Sequence, residues 1–534
     1  MKKQLIFVMI FTLLISVFSL SAIAADEAKF GGTITVGITV DPEILNPLIA
    51  NNRASSWILN NIYPTLLVFN EEGEKIPYVI EGYEMSENGL EITVKLIEGL
   101  KWQDGVPFTT ADVKFTGDIM YEGKYQWQAD YFDRVKSVEI IDDLTIVYHM
   151  NEPSPGFITG IGFWQKIIPK HIWENIDNIK EFQNNENVVG MGPFKLVEAK
   201  RGQYYLLESV DEWFGSPEGK PYLDRIIYRV YPDLNTMVLA LKTGDIDLTV
   251  AGIPVEAAQE LKDNDDFTVV SAASLGYVYI GFNYDNQFLK DKAVRQAISN
   301  AIDRERIIAI ALQGAGIPMP NPISPVYQEY KNPDAEFPAY DTEAAKAKLA
   351  DSGYKDTDND EILNSPESGD NVSLELIFDG NDIYLDKASK ILVANLKEVG
   401  IELVLKPLEK TTYTDLLFNQ GKFEVNLGGW GIIDDPFDSI NTLYHSDAFL
   451  NFMGYENDTL DEYIENCGST VDVDERNEWV AKFQKEFVDE CPVVPLYVQQ
   501  YYFAYNNKFG GITVFPSDLR GVIDPQSMSQ VYKK

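Results

Sequence analysis

The sequence predicts an α/β protein of more than one lobe, and three observations carry that prediction. From Asp291 onward, helical and strand periodicities alternate along the chain, the pattern of strands joined by crossover helices. The N-terminal half shows short strands with one apolar face separated by turns, as antiparallel hairpins do. The chain has 534 residues, 45% of them hydrophobic and 12% aromatic. That composition is globular, and the length exceeds what one core serves, fitting roughly three domain-sized lobes.

In chain order, the first segment is an export signal. Lys2 and Lys3 precede an apolar run over residues 5–20, and Ser21-Ala22-Ile23-Ala24 follows. A basic end, a short apolar centre and an Ala-x-Ala site predict a secretory signal peptide over 1–24. The run is shorter than the ~20 residues of a membrane-spanning helix. No cysteine stands at the cleavage site, so the mature protein is expected to be periplasmic or otherwise extracytoplasmic, soluble and not a lipoprotein. The first strand opens at Gly31-Gly32-Thr33.

Residues 90–96 and 138–150 alternate apolar and polar positions, the latter divided by a turn at Asp142-Asp143. Both read as hairpin strands with one buried face. Thr109-Thr110-Ala111-Asp112-Val113 reads as a helix start, because a Thr side chain accepts from exposed amides and Asp112 suits the positive end of the helix dipole. Asp291 caps a helical pattern carried by Val294, Ile298, Ala301, Ile302 and Leu312. Asp341 caps a helix over 342–351 that Gly353 ends. A strand over 373–378, a helix over 384–399 and a strand over 402–407 make a β-α-β unit. A helix over 411–419 and a strand over 423–427 extend it. The character of the pattern shifts near 280 and 495.

Asp and Glu total 83 against 44 Lys and Arg, a formal charge of -39. Such a surface repels phosphate backbones and anionic lipid, which excludes nucleic acid as a partner and keeps the protein in solution. The three histidines, His149, His171 and His445, show no paired spacing, and each reads as structural. No Gly-x-Ser-x-Gly elbow and no phosphate-binding Gly-x-x-x-x-Gly-Lys occurs. Among the abundant carboxylates, no pair is singled out for glycoside chemistry. A secreted hydrolase therefore stays an alternative without a constellation.

Cys467 and Cys491 are the two cysteines. Cys467 is expected just before a turn over 468–474, and Cys491 at the far end of the following helix. That helix spans roughly 24 Å, well beyond the ~7 Å between Cα atoms that a disulfide tolerates. No bridge is expected. Asp356, Asp358, Asp360 and Glu367 occupy positions one, three, five and twelve of a calcium-type loop. Glu361, however, stands where such loops place glycine for a sharp turn. The reading here is an acidic surface loop with a structural Ca2+ as its alternative; no other cofactor is expected.

Several segments together resemble one family. Gly31-Gly32-Thr33 with Leu45-Asn46-Pro47 is similar to the opening of the extracytoplasmic solute-binding proteins of family 5, the peptide/nickel-binding subunits of ABC importers. Leu100-Lys101-Trp102-Gln103-Asp104-Gly105, leading to Thr110-Ala111-Asp112-Val113, resembles that family's most characteristic stretch. Gly190-Met191-Gly192-Pro193-Phe194 is similar to its Gly-Thr-Gly-Pro-Tyr, with Met191 in place of Thr. Gly281-Phe282-Asn283, Val294-Arg295-Gln296-Ala297-Ile298 and Ala301-Ile302-Asp303-Arg304 match another signature. Asp474-Glu475-Arg476 and Cys491-Pro492-Val493-Val494-Pro495-Leu496 complete the set.

The resemblance implies a two-lobed periplasmic-binding-protein fold, class II-like, with an extra domain in the N-terminal half. Lobe I is expected over 25–68, 190–280 and 495–534, the extra domain over 69–189, and lobe II over 281–494. It implies a non-catalytic monomer that closes on a small solute. The solute would then pass to ABC importer permease subunits, with ATP hydrolysed by separate subunits.

By the same resemblance the solute is an oligopeptide, with an oligosaccharide as the alternative. Peptide-binding members often carry Trp-x-x-Asp in the second lobe, the Asp taking the peptide's α-ammonium group. Here Ile433 stands three residues after Trp430 and Asp434 follows it, and neighbours in an extended segment face opposite sides. The expected ligand-binding residues are Asn52, Ser55, Trp57, Trp127, Tyr277, Trp430, Gly431, Asp434 and Asp435. Trp57 and Trp430 stand on opposite lobes as aromatic platforms.

Overall fold

The computed structural model describes residues 30–534 apart from 43, 51, 72, 126, 432–435, 449 and 516–520. The expected signal peptide lies outside the described residues. Among the described residues, twelve strands join into one sheet because the 14-residue strand Val493–Asn506 runs through both halves of the molecule. In the first half, Thr33–Ile38 pairs in parallel with Arg225–Val230 on one side and Leu248–Thr249 on the other. In the second, Ser373–Asp379 pairs in parallel with Glu402–Leu408 and Val425–Gly429. Each parallel trio is then met by an antiparallel strand arriving from the other half. Val493–Asn506 meets Leu248–Thr249, and Val278–Phe282 meets Val425–Gly429. The strand order, second-first-third-exchanged, is the same in both lobes.

The two crossings lie side by side. Phe267–Ala273 pairs with the lobe I end of Val493–Asn506, its last register being Ala273 with Gln500. The chain resumes in lobe II with Val278 opposite Tyr497. The expected boundaries at 280 and 495 therefore fall inside strands. Pattern alone shows where helices begin to alternate with strands, not where a continuous strand changes lobes.

An antiparallel sheet of Ile80–Met85, Glu91–Leu96, Thr145–Met150 and Val135–Ile140 forms the extra domain, inserted between Thr33–Ile38 and Arg225–Val230. Strand Glu91–Leu96 alternates exposed and buried positions, and Ile92, Val94 and Leu96 are fully buried. Tyr148 and Phe157 meet edge-on beneath the sheet with centroids 5.1 Å apart. Helix Thr110–Gly123 starts as its sequence predicts. Thr109 and Asp112 form a reciprocal capping box, which satisfies two amides that the first turn leaves open.

Two helix expectations hold within a residue, Thr342–Asp351 behind Asp341 and Ile383–Glu398. The pattern expected behind Asp291 as far as Leu312 instead divides into Lys292–Ala301 and Arg304–Ala311, Asp303 capping the second. The helix expected over 411–419 is α-helical only over Lys410–Thr414 and widens to a π-helical turn over Asp415–Gln420. Cys467 lies within helix Asp458–Ser469, not before a long turn, so the following loop is shorter than expected. Cys491 ends helix Val473–Glu490 in the left-handed region at φ 53°. Both cysteines are free and buried.

Candidate functional site

In open parallel sheets, ligands collect beyond the carboxyl ends of the strands, where strand order reverses. Both lobes direct those ends at the crossings. In lobe II the third parallel strand ends at Gly429, opposite Val278, and Trp430 follows. The Trp430 amide donates to the Tyr277 carbonyl at 2.9 Å. The chains approach so closely that a Cβ on Gly276 would lie 1.8 Å from the Trp430 carbonyl oxygen; only glycine fits there.

The half-buried Trp430 ring stacks on Tyr279, with centroids 5.6 Å apart and planes 9° from parallel, and Phe452 packs at 6.0 Å. Trp430 Nε1 is buried and has no hydrogen-bond partner among the described residues. Beneath, Tyr277 is 2% exposed and its hydroxyl bonds that of Tyr444. Burial raises the pKa of both hydroxyls, so they stay neutral and serve as donors and acceptors only. Tyr413, also in this lobe, is pushed up to about 12 by burial. Among the described residues the site is aromatic, uncharged and anchored on a strand end, suited to stacking and hydrogen bonding. Tyr277 and Tyr279 are each 2% exposed and back the half-buried Trp430 ring. Tyr279 and Phe452 were missed from sequence, although the i, i+2 spacing of Tyr277 and Tyr279 puts both on one side of the strand.

On lobe I, Asn52 caps helix Arg53–Leu59, its side chain accepting from the Ser55 amide at 2.8 Å. Ser55 is fully buried and Trp57 is 5% exposed. The Trp57 carbonyl accepts from the Tyr228 hydroxyl at 3.3 Å. The helix turns its apolar side inward, so Ser55 and Trp57 belong to the lobe I core and not to an open aromatic platform as expected. Trp127 opens the short helix Trp127–Arg134 of the extra domain, and its side chain lies outside the described residues. Gly431 is exposed beside Trp430. Asp434 and Asp435 lie outside the described residues.

Asp356, Asp358 and Asp360 present carboxylate oxygens within 4.8 Å of one another, all exposed. Glu367 does not join them, so the twelve-residue ligand set expected from spacing is incomplete. Glu361 takes φ 72°, the left-handed turn for which such loops place glycine, and the Asp356 carboxylate accepts from the amides of Asn359 and Glu361. The histidines sit apart, each beside a carboxylate: His149 with Glu91 and Glu139, His171 with Asp104, and His445 with Glu465.

Residues 74–451 match the model of the bacterial extracellular solute-binding proteins, family 5. The chain belongs to this family. This solute-binding protein is 29% identical over 506 residues to the oligopeptide-binding protein AppA of Bacillus subtilis, covering 92% of this chain and 91% of AppA. Its fold is similar to that of CtaP, an ABC transporter substrate-binding protein of Listeria monocytogenes. The TM-score is 0.82 at 29% identity, over 95% of this chain and 100% of CtaP. It is also similar to Bacillus subtilis AppA in complex with a nonapeptide, with a TM-score of 0.72 at 27% identity, over 95% and 100% of the two chains. The two-lobed architecture of this solute-binding protein is that of its family. Among the described residues, no helix is long and apolar enough to cross a membrane.

Proposed function

We propose that this solute-binding protein captures an oligopeptide between its lobes and delivers it to an ABC importer, with no chemistry of its own. The observation that carries the reading is the Trp430–Tyr279 stack at the carboxyl end of Val425–Gly429, beside both crossings. A solute lying there meets lobe II directly and lobe I on closure. It stabilises the closed form by the difference in its affinity for the two states. The kinship to AppA supports a peptide as that solute. The scattered histidines offer no nucleophile–base pair. In this reading the protein works outside the cytoplasm as a monomer without a lipid tether, exported by its first 24 residues.

Native mass spectrometry of the purified protein, paired with thermal melts against a peptide pool, tests the reading. The expected results are retained peptide of unaltered mass and a melting temperature that rises with peptide concentration. Trp430→Ala should weaken peptide binding by about 1–3 kcal/mol. Retention of an oligosaccharide, or hydrolysis of the bound peptide, would overturn it.

A further inference from the structure

Lobe I has a counterpart to the Trp430 corner. Its third parallel strand, Leu248–Thr249, ends beside the exchanged strand Val493–Asn506, and Ile253 bridges Tyr502 just beyond. At this corner a cavity of about 190 Å³ opens between the lobes. Ile253, Pro254 and Val255 form its lobe I wall, while Leu312, Ala315 and Tyr384 come from lobe II. Gln499 and Tyr501 of the crossing strand form its floor. The lobe II wall is fixed to the same strand, since the Gln500 amide donates to the Ala315 carbonyl at 3.1 Å. At the rim, Gln313 of lobe II donates to the Glu256 carboxylate of lobe I.

Three features define what the cavity takes. It lies at the carboxyl end of a parallel strand where strand order reverses, the position at which α/β sheets bind ligands. Its lining is mainly apolar and, among the described residues, carries no charged side chain. Its volume is below the ~300–1,000 Å³ of a pocket enclosing a whole drug-sized ligand, so it suits one large side chain and not a length of peptide. The Tyr384 hydroxyl and the Gln499 side-chain amide make no hydrogen bond to another described residue, leaving polar groups at the wall for the backbone of the bound chain. An occupant would touch both lobes and the crossing strand together, which ties its affinity to closure.

We propose that this cavity is a specificity pocket accepting one aromatic or branched apolar side chain of the bound oligopeptide. The assignment rests on the oligopeptide reading above. The test is calorimetric titration of alanine-rich peptides that carry one Phe at successive positions. At one position Phe should bind at least ~10-fold tighter than Ala, the discrimination a fitted apolar pocket supplies. Val255→Trp fills the cavity and should bring that ratio close to one. Val255→Ala enlarges it and should move the preference from Phe toward Trp. Trp430→Ala should weaken both peptides of a pair and leave their ratio in place. A ratio that survives in both Val255 variants, or no preferred position in the wild type, overturns the pocket while leaving peptide binding intact. Failure of every peptide to bind the wild-type protein overturns the oligopeptide reading and the pocket with it.

Discussion

Residues shared with the family's signatures turn out to be fastenings of the fold. Arg295 is 2% exposed, and its guanidinium donates to four carbonyls: Leu289 and Lys290 at 3.0 Å, Glu490 at 2.8 Å and Cys491 at 3.2 Å. It joins the start of helix Lys292–Ala301 to the end of Val473–Glu490, just before the crossing strand begins. Arg295→Leu removes every one of those donors from carbonyls that are buried or half-buried. It should cost about 3–5 kcal/mol, read as a lower denaturant midpoint with an unchanged slope. Next to it, burial pushes the Cys491 thiol up to about 12, and burial does the same to Cys467. A thiol, not a thiolate, is present near neutrality, and the thiolate is the nucleophile. Neither cysteine should react with a thiol reagent at pH 8 in the folded protein. Both should react in denaturant without a reductant, and fewer than two thiols released there would mean a disulfide.

At the scale of elements, helix Thr110–Gly123 shows how one residue serves several joints. Asp112 is buried in its first turn and accepts from the Thr109 amide at 3.0 Å and the Lys170 amide at 2.8 Å. Burial outweighs those bonds and raises its pKa. The folded state therefore holds this proton more tightly than the unfolded state does. The group's contribution to stability falls as pH rises from the ordinary carboxylate range through the raised value, and is constant above it. Asp112→Asn ends that titration but leaves one amide oxygen where the carboxylate served two N–H donors. It should cost about 1 kcal/mol near neutrality, and more in acid, where the wild type no longer bears the ionisation penalty. Chemical unfolding of both proteins across pH measures the difference.

The same helix shows what sequence conveys. Its cap and apolar face are local, so Thr109 and Asp112 were legible. The two signatures were legible only as separate motifs, and the structure joins them: Gln103 accepts from the Gly190 amide and donates to the Gly192 carbonyl, each at 3.1 Å. A Cβ on Gly192 would lie 2.2 Å from the Asn61 carbonyl oxygen, so that glycine is there for close approach. Trp57 was not legible, because an aromatic beside a polar helix start looks the same whether it faces a cleft or a core. The lobe crossings were not legible either, since Val493–Asn506 is one uninterrupted strand and only its partners change.

For the whole molecule, the question is what holds two lobes together when so little beyond two strands connects them. In this structure the lobes touch away from the strands. Gly89, at φ 69° in the turn between the first two strands of the extra domain, abuts lobe II so closely that a Cβ would lie 2.7 Å from Val471. Nearer the crossings, Gln313 of lobe II donates to Glu256 of lobe I. Neither contact is large, and an exposed hydrogen bond contributes little in water. Little is needed, because a population near balance between open and closed responds to small differences. The Gln313 bond is the first cause of a lowered Glu256 pKa. A lowered carboxylate pKa means the stabilisation is present above the ordinary carboxylate range and lost as pH falls through the folded value. Closure of the ligand-free protein should therefore be independent of pH near neutrality and weaken only in acid. Small-angle scattering should record an increase in the radius of gyration below the Glu256 pKa. Gln313→Ala should show the more open dimension already at neutral pH and lose this acid step. If the variant and the wild type scatter alike at every pH, the rim bond does not set the balance, and the solute alone brings the lobes together.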